Sequence, residues 1–226
     1  MIILALESSA VCASCAVCDD DRLLGQYFQN SGLTHSRTLL SMAQSLLSNL
    51  DMAISDIDLV AVARGPGSFT GVRIGVAAAK GLAWGADIPV CGVSTLEAMA
   101  YQAPEPGMIL CPVMDARRGQ VYNALFEWND GGLLRLCDDR ALPLDELAGE
   151  LRGLDAPCMP IGDGAALCHG HLALAQVRRR MAPELLRWQT AYGVALAASH
   201  SGQVAAAELE PVYLRPSQAE RERAAR

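Results

Sequence analysis

One stretch of the chain combines the residue types that bind phosphate with a spacing unusual for a helix. It reads Arg64-Gly65-Pro66-Gly67-Ser68-Phe69-Thr70-Gly71-Val72-Arg73-Ile74-Gly75-Val76-Ala77-Ala78-Ala79-Lys80-Gly81-Leu82-Ala83 and follows the short apolar run Leu59–Ala63. Glycines between a strand and a helix can aim backbone N–H groups at an anion. No Gly-Lys-Ser/Thr closes this turn, so it is not a Walker A loop. Oxygen ligands occur at two further strand ends. Glu7-Ser8-Ser9 ends the first apolar run, and Asp115 ends the run Met108–Met114. Glu7 could hold a magnesium through water, and Ser8 or Ser9 could touch a phosphate. Alternatively, these hydroxyls satisfy local backbone groups at a strand end. Asp115 either faces a cleft or only sets the turn before Gly119. Arg117 and Arg118 either meet a phosphate or an acidic partner, or lie solvated. Gly162-Asp163-Gly164 resembles a cleft turn, a weak signal by itself.

Metal and nucleophile chemistry find less support. Cys12, Cys15 and Cys18 form C-x-x-C-x-x-C, but the segment reads as a strand. There Cys12 and Cys18 share a face and Cys15 takes the other, so the three behave as small buried hydrophobes. Cys91, Cys111, Cys137, Cys158 and Cys168 are scattered. His169 and His171 lie two apart, His200 is isolated, and no metal site is expected. Ser68 lacks a Gly-x-Ser-x-Gly frame.

These residues need elements to position them. The 226 residues suffice for one large domain or two small ones. The composition, 51% hydrophobic and 19% charged, suits an α/β fold. A net charge of −7 argues against nucleic-acid binding by this chain alone. Met1–Leu6 lacks a basic leader and meets Glu7 at once, so the expected location is the cytoplasm, with reduced cysteines and no membrane span. Strands are predicted at 2–7, 11–18, 22–29, 59–63, 89–93, 108–114 and 120–128. Helices are predicted at 35–50, 68–86, 94–101, 143–152, 165–181 and 190–201. A last extended segment spans Pro211–Pro216, and the charged tail Ala219–Arg226 is expected to fray. The order divides the chain into a domain 1–103 and a smaller domain 104–226, split at Pro104, Pro106 and Gly107. In the second predicted helix, Gly71, Gly75 and Ala79 recur every four residues, which permits close approach of another backbone. That backbone belongs either to the chain's own sheet or to a partner.

Met1–Ser9, Arg64–Ala83, Asp115-Ala116-Arg117-Arg118-Gly119-Gln120-Val121-Tyr122 and Pro211–Pro216 resemble the TsaB family, also called YeaZ, over nearly the whole chain. The resemblance implies two actin-like ATPase domains (the ASKHA, ribonuclease H-like fold), each a mixed sheet with flanking helices. It implies a non-catalytic subunit that binds and activates the paralogue TsaD, which transfers threonylcarbamoyl from its adenylate to the adenosine beside the tRNA anticodon. TsaE joins the larger assembly, tRNA is met only through the complex, and the chain alone forms a homodimer. TsaD resembles a metalloprotein with His-x-x-x-His on its first helix; here Leu39 stands four residues after His35. Actin-like ATPases place an Asp and a Gly in the first hairpin, and here it reads Glu7-Ser8-Ser9-Ala10-Val11. Glu7, Ser8, Ser9 and Asp115 are thus expected to form a vestigial nucleotide cleft. No cofactor is required, with weak ADP or ATP binding left open. The alternative is an active kinase or ATPase of this fold. The expected partner face comprises Leu39, Met42, Leu46, Gly71, Val72, Gly75, Val76 and Ala79. Either apolar face of these helices could be the free one.

Overall fold

A computed structural model describes residues 1–174 and 176–215. The first half contains β1 (Ile2–Glu7), β2 (Ala13–Asp19), β3 (Arg22–Gln29), α1 (His35–Asn49), β4 (Leu59–Ala63), α2 (Phe69–Ala86), β5 (Val90–Val93) and α3 (Thr95–Tyr101). These match the predicted elements to within two residues. The sheet order is β3-β2-β1-β4-β5, with β1 antiparallel to β2 and parallel to β4. Strands buried on both faces read as unbroken apolar runs, and Ile2–Leu6 and Leu59–Ala63 are such runs. Alternate residues serve alternate faces. Leu4, Leu6, Val60 and Val62 meet Leu39 and Leu46 of α1 and Val72, Val76 and Ala79 of α2. Ile3, Ala5, Ala61 and Ala63 point the other way.

The second half contains β6 (Ile109–Asp115), β7 (Gln120–Asn123), β8 (Phe126–Asn129), β9 (Gly132–Arg135), β10 (Arg140–Pro143), α4 (Leu144–Arg152), β11 (Cys158–Ile161), α5 (Ala165–Gly170), α6 (Glu184–Arg187) and α7 (Ala191–Ser199). The predicted strand 120–128 is present but split. β7 and β8 face β6 in one continuous antiparallel register, interrupted at Ala124 and Leu125. The interruption lies opposite Pro112, which has no N–H to donate. The side chain of Asn123 fills the gap, donating to Pro112 O at 3.0 Å and Ala124 O at 3.0 Å. β11 joins the other edge of β6 in parallel. A hairpin, an outer antiparallel strand and a parallel return after a helix thus occur twice, in β1–β4 and in β6–β11.

Two predictions need correction. The helix expected over 165–181 stops at Gly170. A single turn, Leu172–Leu174, follows, and Arg179 then bridges to Cys158 in extended form. The Arg179 guanidinium donates to the carbonyls of Leu174, Val177 and His169, which leaves those groups outside a helical ladder. The boundary that gave 104–226 to the second domain also moves. Ala191, Val194, Ala195 and Ala198 of α7 cover the first sheet against Ile3, Ala5 and Ala61. The chain then stays with that domain: Val204 bridges Val90, Lys80 Nζ donates to the carbonyls of Ala207 and Leu209, and Val212 N donates to Arg64 O. An alanine-rich helix carries no label for which sheet it covers; only packing assigns it. The tail 219–226 lies outside the described residues.

Candidate functional site

The two hairpin turns, after β1 and after β6, face each other across a cavity of about 350 Å³. Ser9, Ser68, Asp115, Arg117, Asp163 and Arg215 are among its lining residues. The sequence-predicted set Glu7, Ser8, Ser9 and Asp115 is therefore only partly assembled. Ser9 and Asp115 reach the cavity. Glu7 lies beneath it, fully buried, with Oε1 accepting from Ser9 N at 2.5 Å and Oε2 without a partner. Burial pushes its carboxyl up to about 7, and the nearby Asp163 adds to the shift. Ser8 turns away, its hydroxyl donating to Gly71 O at 2.9 Å. Asp115 Oδ1 accepts from Arg117 N at 2.7 Å, the bond of an Asx turn. Asp163 follows β11 in the Gly162-Asp163-Gly164 turn and accepts from Gln189 Nε2 at 3.0 Å. Burial also raises its pKa.

The glycine spacing of α2 now has its explanation. A Cβ on Gly67 would lie 2.4 Å from Ser9 O, one on Gly71 2.1 Å from Ser8 O, and one on Gly75 2.6 Å from Ser8 Oγ. These glycines let α2 lie directly against the first hairpin turn. The face that carries Gly71, Val72, Gly75, Val76 and Ala79 is therefore turned into the chain's own domain, not outward. Leu39 and Leu46 of α1 are buried there as well, and only Met42 of the predicted partner set is partly exposed. Helical spacing shows that a small-residue face exists, but a second such face decides the matter. Ala77, Gly81 and Gly85 also recur every four residues, and they are exposed together with Trp84, which is 74% accessible. Among the described residues, a Cβ on Gly81 or Gly85 would meet no atom within 4 Å. The charges on α2 are Arg73 and Lys80, which hydrogen-bond to the C-terminal segment through the Tyr213 hydroxyl and the Ala207 carbonyl. Beside this face, Leu40, Gln44, Leu47 and Ser48 of α1 and Leu82 of α2 line a groove of about 520 Å³.

His35 Nε2 lies 2.7 Å from Ala10 O, which ties the start of α1 to the first hairpin. Among the described residues no group of three or more His, Cys, Asp or Glu side chains is gathered to hold a metal. No helix of the described residues is long and apolar enough to cross a membrane. Sequence reasoning missed Tyr213 and Arg215 at the cavity. They lie about a hundred residues or more from their contacts, so no local pattern announces them.

Two domains of repeated order, with a cleft between paired hairpin turns, define an actin-like ATPase fold. ROK hexokinase from Thermus thermophilus shares it at a TM-score of 0.50 and 14% identity, over 88% of this chain and 98% of that one, a likeness of fold alone. YeaZ from Pseudomonas aeruginosa superimposes with a TM-score of 0.80 and 28% identity, over 94% of this chain and 99% of that one. A family model described as TsaD, tRNA N6-adenosine threonylcarbamoyltransferase, matches residues 29–173. The tRNA threonylcarbamoyladenosine biosynthesis protein TsaB of Bacillus subtilis is 37% identical over 167 residues, 74% of this chain and 73% of its own length. The chain belongs to the TsaB (YeaZ) family.

Proposed function

We propose that this chain acts in tRNA threonylcarbamoyladenosine formation as a non-catalytic scaffold that binds and activates a TsaD-type transferase. TsaE joins the larger complex, and the chain pairs with itself when alone. The observation that carries this reading is the exposed face of α2. Glycine inside a helix costs about 1 kcal/mol relative to alanine. Among the described residues nothing occupies the space of a Cβ at Gly81 or Gly85, so the chain's own packing does not require glycine there. The exposed small residues Ala77, Gly81 and Gly85 beside an apolar groove suit a second helix pair at close range. A transferase of the same fold would present such a pair, giving a pseudo-symmetric interface. The cleft supports the non-catalytic part. Its first hairpin presents no exposed carboxylate, because Glu7 is buried and Ser9 above it is buried as well. We accordingly propose that the chain needs no nucleotide of its own, in the cytoplasm where the tRNA is modified.

The test is Gly81→Leu. Leucine favours helix over glycine, so the chain should keep or gain stability in urea. Light scattering after size exclusion should then show loss of the one-to-one complex with TsaD, with affinity at least ten-fold weaker. A folded Gly81→Leu chain that still associates fully would place the partner elsewhere.

A further inference from the structure

Three stretches singled out in the sequence meet at the mouth of the cleft. Arg73 of α2 sits with its guanidinium 3.9 Å from the centre of the Phe69 ring and donates to the Tyr213 hydroxyl at 3.0 Å. Phe69 and Tyr213 lie 4.7 Å apart, tilted by 32°. The result is a stack of Arg73, Phe69 and Tyr213, whose last ring is exposed. Arg117 and Arg215 line the same cavity as these two rings. Arg118, next in the turn, is exposed too, and both turn arginines have left-handed backbones, φ 67° and 57°. The Arg117 side chain is 83% exposed, with Asp115 3.9 Å away. Arg118 makes no ion pair among the described residues. Asp115 and Asp163 are the acids of the same cavity, and Asp163 lies deep in it.

We infer that this patch binds single-stranded RNA directly, against the expectation from net charge that the chain meets tRNA only through the complex. A base stacks on the exposed ring of Tyr213, and flanking phosphates meet Arg117 and Arg118. Aromatic rings beside arginines are the chemistry of single-strand binding, because every base has a face to stack while phosphates take the cations. An acidic protein would use the arginines but not the ring. The choice of RNA also rests on the proposed part in tRNA modification. With a net charge of −7, the rest of the surface repels RNA, which confines binding to the patch and makes it strongly salt-dependent.

The experiment measures anisotropy of a labelled anticodon stem-loop RNA titrated with the full chain alone, across a series of salt concentrations. Arg117→Asn with Arg118→Asn keeps residues that tolerate the left-handed backbone. This double variant should bind about ten-fold more weakly, with a salt slope shallower by about 1.4 for two lost phosphates. Tyr213→Ala should lose about ten-fold with the slope unchanged, and Tyr213→Phe should restore binding. Circular dichroism checks that each variant is folded. Three results would overturn the proposal: no RNA binding by the wild type at low salt, variant curves that overlay the wild type, or free AMP binding as tightly as the RNA. None of these involves the transferase, so failure here is separate from failure of the Gly81→Leu test.

Discussion

Glu7 shows how one side chain can look catalytic in a sequence and be structural in the molecule. An acid at the end of the first strand of this fold suggests a metal ligand. Here the carboxyl is sealed under Ser9, with one oxygen bonded to the backbone and the other unpartnered. Its pKa of about 7 rather than 4.5 has a thermodynamic sign. The folded state holds the proton more tightly, so stability is full below pH 4.5 and is lost as pH rises through about 7. The loss at pH 8 is about 3 kcal/mol at one carboxyl. Glu7→Gln keeps the shape and removes the titration. Urea midpoints should match the wild type near pH 5 and exceed it at pH 8. Asp163, held above its usual range by burial, would leave a smaller slope in the variant. A wild-type midpoint that does not move between pH 5 and 8 would contradict this account.

At the scale of elements, α2 separates two uses of the same spacing. Gly67, Gly71 and Gly75 are small because a hairpin turn occupies the space; at Gly81 and Gly85 a Cβ would meet no neighbour among the described residues. Gly71→Ala should therefore cost about 1–3 kcal/mol or prevent folding, since the new methyl meets the backbone oxygen of Ser8. Thermal unfolding of the isolated chain would show it; an unchanged melting temperature would mean that the hairpin yields. A leucine at Gly75 would likewise strike Ser8 and Val62 within the chain, so substitution there reports on folding and not on a partner. Strand boundaries were legible where apolar runs ended in Gly, Pro or Asp. β9, β10 and β11, four residues each, were not, because so short a run shows no period.

For the whole molecule, the question is what fixes one domain against the other. Arg135 of β9 pairs with Glu97 of α3 at 2.9 Å and with Asp139 at 2.7 Å, while Ser94, the cap of α3, donates to Asp139 at 2.5 Å. At the opposite side, Arg215 donates to Ala116 O at 2.8 Å. The close pass of the C-terminal segment needs Gly65, whose φ is +117° and whose Cβ would lie 2.2 Å from Val212 O. Arg135→Ala removes a charge-assisted joint and leaves Glu97 and Asp139 facing each other. It should cost about 1–3 kcal/mol and speed amide exchange at the start of α3. Exchange and unfolding identical to the wild type would show that packing alone holds the domains.

By itself, the sequence determined the elements of the first half, the hairpins that open both halves and the family. Each of these is written in local patterns: apolar period, capping serines at 68 and 94, and glycine turns. Tertiary structure decided which small face of α2 is free, that Glu7 is buried while Asp163 reaches the cavity, and that residues 191–215 return to the first sheet. Periodicity gives the faces of a helix but not their neighbours. Neighbours are chosen by contacts between residues far apart in the chain, such as Gly65 with Val212 and Phe69 with Tyr213.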